Sequence, residues 1–152
     1  MPLDREHYER LAAFRYALRQ FLAFSEAATQ AVGVTPQQYQ ALLVIKTHSG
    51  KGIMIRLLAE QMLLQHNGAV QLIDRLVSAD LIERRPDPSD GRRVLVVLTA
   101  KGSKLLEQLA SNHIGELLKQ EQLLAESLRR LRRMHRATDR PMAKMARRAS
   151  AR

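Results

Sequence analysis

The chain of 152 residues has no cysteine and no tryptophan, and only 4% of it is aromatic. Without a thiol there can be no disulfide, no thiolate metal site and no cysteine nucleophile or thiol-based oxidant sensor. A cysteine-free composition leans towards the cytoplasm. Seven glycines and five prolines are too few for a disordered or turn-dense chain. Long apolar runs are also missing. Val94 to Leu98 is a typical stretch, far short of the roughly 18 residues that a membrane helix needs. The start, MPLDREHYERL, is charged from its fourth residue and has no apolar core, so it does not read as a signal peptide. The histidines His7, His48, His66, His113 and His135 lack ligand spacing, which argues against a metal site. No phosphate loop and no Gly-x-Ser-x-Gly is present, and Asp87 and Asp90 stand in a turn-forming stretch, where Asp serves turn chemistry. The expectation is a protein that is not an enzyme and carries no cofactor.

What remains is 45% hydrophobic and 26% charged, with a net charge of +10. Ten of the 25 basic residues fall in residues 129–152 against Asp139 alone. That segment therefore holds +9, and residues 1–128 hold +1. Total charge suggests a polyanionic partner, but it points to the tail and not to the body.

The chain reads as one domain over residues 1–136, followed by a basic, mobile tail at 137–152. Tyr8, Leu11, Phe14, Leu18, Phe21, Leu22, Ser25 and Ala28 recur at helical spacing, which predicts a helix over about 4–31 that stops before Gly33. Thr35-Pro36-Gln37-Gln38 is a cap, a proline suited to the first helical position and a capping-box glutamine, so a second helix starts there. Two short helices follow, at about 55–62 and 67–79, separated by a tight turn. The second buries Ala69, Leu72, Ile73, Leu76 and Val77 and turns Asn67, Gln71, Asp74, Arg75 and Ser78 outward. Leu81 to Arg85 and Arg93 to Leu98 are short extended runs around the turn signal Pro86-Asp87-Pro88-Ser89-Asp90-Gly91, which predicts a hairpin. Thr99 caps a further helix, and a last one spans about 121–136.

Two short helices followed by a basic hairpin make a winged helix-turn-helix: mainly α, with a small β-hairpin wing. Such an arrangement suits duplex DNA. Asn67 and Gln71 can present amides to base edges, with His66 beside them. Arg92 and Arg93 sit near the hairpin tip, where an arginine can enter a narrow minor groove. Arg75, Arg84 and Arg85 are placed to meet phosphates. The same residues could form a plain solvated face, but an isolated hairpin is marginal on its own in a helical protein.

Residues 53–99 resemble the MarR family of bacterial regulators. The resemblance is carried by Leu58-Ala59-Glu60, Ala69 to Leu76, Leu81 to Arg85, the Asp-x-Arg element Asp90 and Arg92, and Leu98-Thr99-Ala100-Lys101-Gly102. Thr35 to Tyr39 is similar to the start of the family's second helix, and helix lengths match over about residues 5–135. The resemblance implies a DNA-binding lobe at about 35–99 and dimerisation helices at about 4–32 and 100–136. It further implies a homodimer on a pseudo-palindromic operator of double-stranded DNA, a wing-tip role for Arg92, and an Asp90 that braces the wing by an ion pair. It also implies repression relieved by a small aromatic or anionic effector, for which Phe21, Tyr39 and His113 are the candidate contacts. Two positions depart from the family pattern: Met54 stands where a capping Thr or Ser is common, and Gln65-His66-Asn67-Gly68 stands where many members have Ser or Thr. The alternative function is nonspecific binding of nucleic acid or an anionic surface through the basic tail.

Overall fold

The protein is described from a computed structural model covering residues 3–48 and 50–149, with side-chain environments as far as Met134. Among the described residues five helices and three short strands run in the order α1 (Arg5–Ala31), α2 (Pro36–Thr47), β1 (Ile53–Met54), α3 (Ile55–Gln61), α4 (His66–Ser78), β2 (Ile82–Pro86), β3 (Val94–Leu98) and α5 (Ala100–Ala149). The strands form one antiparallel sheet in the order β1-β3-β2. A mainly helical chain with a small hairpin wing is therefore the observed architecture.

Local chemistry explains the element ends. Thr35 accepts from the Gln38 amide while the Gln38 side chain accepts from the Thr35 amide, closing the capping box ahead of Pro36. Gly33, at φ +77°, takes the left-handed conformation that turns the chain between α1 and α2. Neither Met54 nor Gln65 supplies a side-chain cap, so α3 and α4 both begin with uncapped amides. Leu63, 94% exposed, holds φ +54° in the turn between them.

The chain divides into two compact units. One comprises residues 25–113 and contains the principal core, built from Leu42, Ile45, Ile53, Leu58, Ile73, Leu76, Ile82, Val96 and Leu109 with their neighbours. The other comprises residues 1–24 and 114–152. The boundary falls inside α1 and α5, so each long helix contributes to both units. In the second unit Ala17 and Ser127 are buried, while Tyr8, Leu11, Tyr16, Leu22, Leu118 and Leu128 stand exposed. The apolar stripe expected of the first helix is thus largely uncovered in a single chain.

Three expectations are corrected. The hairpin is joined by a third strand, β1, in which Ile53 pairs with Val96 and Met54 with Leu95. Two residues are too few to show an alternating pattern. Separate helices ending near 118 and starting at 121 are replaced by one continuous α5. The shift in the apolar stripe there has no glycine or proline to break the backbone. The helix also continues past 137, through Pro141, to Ala149, in a stretch rich in Ala, Arg, Lys and Met where the sequence was read as a basic, mobile tail. Residues 150–152 of that tail lie outside the described residues.

The backbone between α4 and β2 packs closely against the start of α5. Thr99 Oγ1 donates to the Asp80 carbonyl at 2.7 Å and accepts from the Gly102 amide at 2.9 Å. The Thr99 amide donates to Leu81 O, and Lys101 Nζ reaches the Ala79 carbonyl at 2.9 Å, neutralising the C-terminal end of α4. A Cβ on Gly102 would lie 1.9 Å from Leu81 O. Gly102→Ala is therefore expected to destabilise the protein by about 3 kcal/mol in urea unfolding, since the obstacle is backbone and not a movable side chain. Conversely, Met54 already has the extended dihedrals of an N-cap. Met54→Thr should add about 1 kcal/mol in the same assay by capping α3; no gain would show that the α3 amides are satisfied another way.

Candidate nucleic-acid interface

Helix α4 presents the site. Its spacing sends Ala69, Leu72, Ile73 and Leu76 into the core, which leaves Asn67, Gln71, Asp74 and Ser78 along one exposed face at steps of four, three and four. His66 and Arg75 are exposed on the same helix, and Arg75 lies in its last turn. Ser78 Oγ donates back to the Asp74 carbonyl at 2.8 Å.

The hairpin turn is held by its aspartates. Asp87 Oδ1 accepts from the Ser89 hydroxyl at 2.7 Å and the Ser89 amide at 2.8 Å, and these bonds hold its carboxyl below the usual carboxylate range. Asp90 Oδ1 accepts from the Arg92 amide at 3.1 Å, and Oδ2 lies 3.4 Å from Arg93 Nε. The Asp87 amide donates to Arg93 O and the Arg93 amide to Asp90 O, both at 2.9 Å. Asp90 does form an ion pair within the wing, and its arginine is Arg93.

Of the arginines expected to meet phosphates, Arg84 and Arg85 lie on opposite sides of β2. Successive residues on β2 face opposite ways. Arg84 shares the side of Ile82 and reaches Asp74 of α4, Nη2 to Oδ1 at 2.5 Å. Arg85 faces the other way and pairs with Glu83. Among the described residues, Arg75 and Arg92 have no carboxylate partner. His66, Asn67, Gln71 and Arg75 on α4 and Arg92 on the wing are thus outward groups. Arg84 and Arg93 are engaged in bracing. The Asp74–Arg84 pair was missed from sequence, although strand alternation from buried Ile82 placed Arg84 towards α4.

Tyr39 and His113 come together, with ring centroids 4.4 Å apart at 30°. Both are buried. His113 Nδ1 lies 2.7 Å from the Leu109 carbonyl, which only accepts, so this nitrogen carries the proton. His113 Nε2 is 2.8 Å from Ser25 Oγ. Burial pushes the Tyr39 phenol up from its usual value. The pair is satisfied core in this structure. Phe21, half-buried, belongs to the other unit. Among the described residues no three His, Cys, Asp or Glu are placed to hold a metal, and no helix is long and apolar enough to cross a membrane.

Two short helices, a turn and a three-stranded wing locked onto a long helix define a winged helix-turn-helix protein. Comparison with known proteins narrows this. Residues 32–93 match the profile of the MarR family. The HTH-type transcriptional repressor NicR of Pseudomonas putida is 27% identical over 124 residues, covering 76% of each chain. The MepR–DNA complex of Staphylococcus aureus superposes with a TM-score of 0.64 at 24% identity, over 80% of this chain and 97% of that one. CouR of Rhodococcus jostii RHA1, bound to p-coumaroyl-CoA, gives a TM-score of 0.59 at 26% identity, over 64% and 68% of the two chains. The segment that is similar to the MarR family, residues 32–93, takes in α2, β1, α3, α4, β2 and most of the hairpin turn.

The Asp74–Arg84 pair is partly solvated, so its contribution to stability should be modest. A double-mutant cycle with Asp74→Ala and Arg84→Ala is expected to return a coupling of about 0.5 kcal/mol in urea unfolding. A coupling of zero would mean that the two side chains do not hold each other in solution.

Proposed function

We propose that the protein is a sequence-specific repressor that binds a pseudo-palindromic site in double-stranded DNA as a homodimer and is released by a small effector. The observation that carries this reading is the pairing of an exposed polar face on α4 with an unpaired arginine at the wing tip, both on one rigid unit. Asn67 and Gln71 supply the amides that can bond adenine in the major groove. Arg92 supplies the cation for the minor groove, and Arg75 a phosphate contact. The uncapped first turn of α4 adds backbone amides suited to a phosphate oxygen.

The homodimer rests on the exposed apolar residues of the unit formed by residues 1–24 and 114–152. Tyr8, Leu11, Tyr16, Leu22, Leu118 and Leu128 are too many large apolar groups for a monomer to leave in water. A second copy would cover them, and a two-fold dimer then reads two half-sites about one turn apart. Repression and effector release are supported by NicR, a repressor, and by the ligand-bound CouR structure. For an effector to reach Tyr39 and His113, the Ser25–His113 hydrogen bond must open, which couples occupancy to the packing of α1, α2 and α5 within residues 25–113.

The basic segment at 129–152 favours a second reading, nonspecific binding to phosphates. One experiment separates the two. Duplexes are selected from a random pool, and affinity is then measured against salt for the native protein and Arg92→Ala. The proposal expects enrichment of a two-fold symmetric sequence and a loss of about tenfold or more on it for Arg92→Ala. Uniform binding to all duplexes, with a steep salt slope that Arg92→Ala leaves unchanged, would transfer the activity to the tail.

A further inference from the structure

A cavity of about 180 Å³ lies on the side of the sheet opposite the Asp74–Arg84 pair. Its floor is Ile45, Val97 and Leu98, and its polar lining is Lys46, His48, Arg85 and Ser103. These four side chains come from the last turn of α2, its C-cap, β2 and the first turn of α5, so the fold gathers them from distant parts of the sequence. Among the described residues no carboxylate lines the cavity. The nearby Glu83 is held by Arg85, whose guanidinium has five N–H donors and keeps others for a second acceptor. His48 Nδ1 lies 3.0 Å from the Val44 carbonyl and 3.1 Å from Thr47 Oγ1, which fixes the ring and leaves Nε2 as its other polar atom. Gly52, at φ +96°, keeps the wall low: a Cβ there would lie 2.8 Å from Val97 Cγ1.

We propose that Lys46, His48, Arg85 and Ser103 form a binding site for a phosphate-class oxyanion. Two cations from different elements and a hydroxyl around a small concavity match the size and acceptor-rich surface of phosphate, while His48 Nε2, an acceptor when Nδ1 donates to the Val44 carbonyl, can take the proton of a hydrogen phosphate. An arginine can engage two of its oxygens side by side. The site does not depend on the DNA-binding reading. Its phosphate can come from a free anion or from a nucleic-acid backbone, and Arg85 serves here and not beside Arg84.

The test uses the full chain and inorganic phosphate, titrated against chloride at matched ionic strength and followed by amide chemical shifts. Saturating shifts are expected at Gly50, Gly52 and Ser103, with a midpoint of millimolar order. Lys46→Ala and Arg85→Ala should each raise that midpoint about tenfold while the remaining spectrum keeps its native dispersion. A parallel arm measures duplex affinity against salt for Lys46→Ala. A slope reduced by about one places a backbone phosphate in the site; an unchanged slope beside saturating phosphate shifts assigns it to a free anion. Either outcome supports the site. Phosphate shifts that never saturate, together with a Lys46→Ala duplex slope equal to the native one, would overturn it whether or not the protein proves to bind DNA.

Discussion

The closest approach that organises this protein is between two pieces of backbone, the carbonyl of Leu81 and the α-carbon of Gly102. The outward face of α4 comes before this contact in the chain, the wing lies between its two partners, and the long helix α5 begins at it. Thr99 and Lys101 bind the end of α4 from the same turn. The orientation of the outward face of α4 is therefore set by the start of α5. Asp80, at φ +58°, allows the chain to turn sharply enough for this packing. A side chain at position 102 would force the helices apart, and the polar face would no longer be held in a defined place.

The charges of the lobe follow a second constraint. Asp74, Glu83 and Asp90 each engage one arginine of the wing, so three of the five arginines between 75 and 93 have a carboxylate partner. A lobe with little net charge can still present Arg75 and Arg92 as local positive points. Within roughly 8–10 Å these act on a neighbouring phosphate with little screening, while the paired groups largely cancel. The near-neutral composition of residues 1–128 is thus compatible with a locally basic surface, which a net count conceals.

Much of the fold was legible because local signals and the tertiary structure agree. Thr35-Pro36-Gln37-Gln38 caps α2 as its chemistry requires, and the apolar stripes bounded α1, α3 and α4 to within a residue or so. The turn Asp87 to Arg93 closed on its own aspartates. The rest was hidden because it is not local. A two-residue strand carries no period, so β1 emerges only when β3 is there to pair with it. Near residues 118–121 the backbone of α5 runs on with no glycine or proline to stop it, while the apolar pattern along it changes phase. In the site, residue types and faces on α4 were readable. The division of the arginines was not, because it depends on which side of β2 each one occupies and on a partner ten residues away.

The contact at Leu81 also closes a ring. Residues 81–102 leave the lobe, run out through the hairpin and return to the same point, so the wing is a loop whose base is fastened independently of its tip. Extending such a loop costs only the slow logarithmic growth of closure entropy, well under 1 kcal/mol for a few added residues. The reach of the wing can therefore drift over evolutionary time while the helix that would read bases keeps its seat.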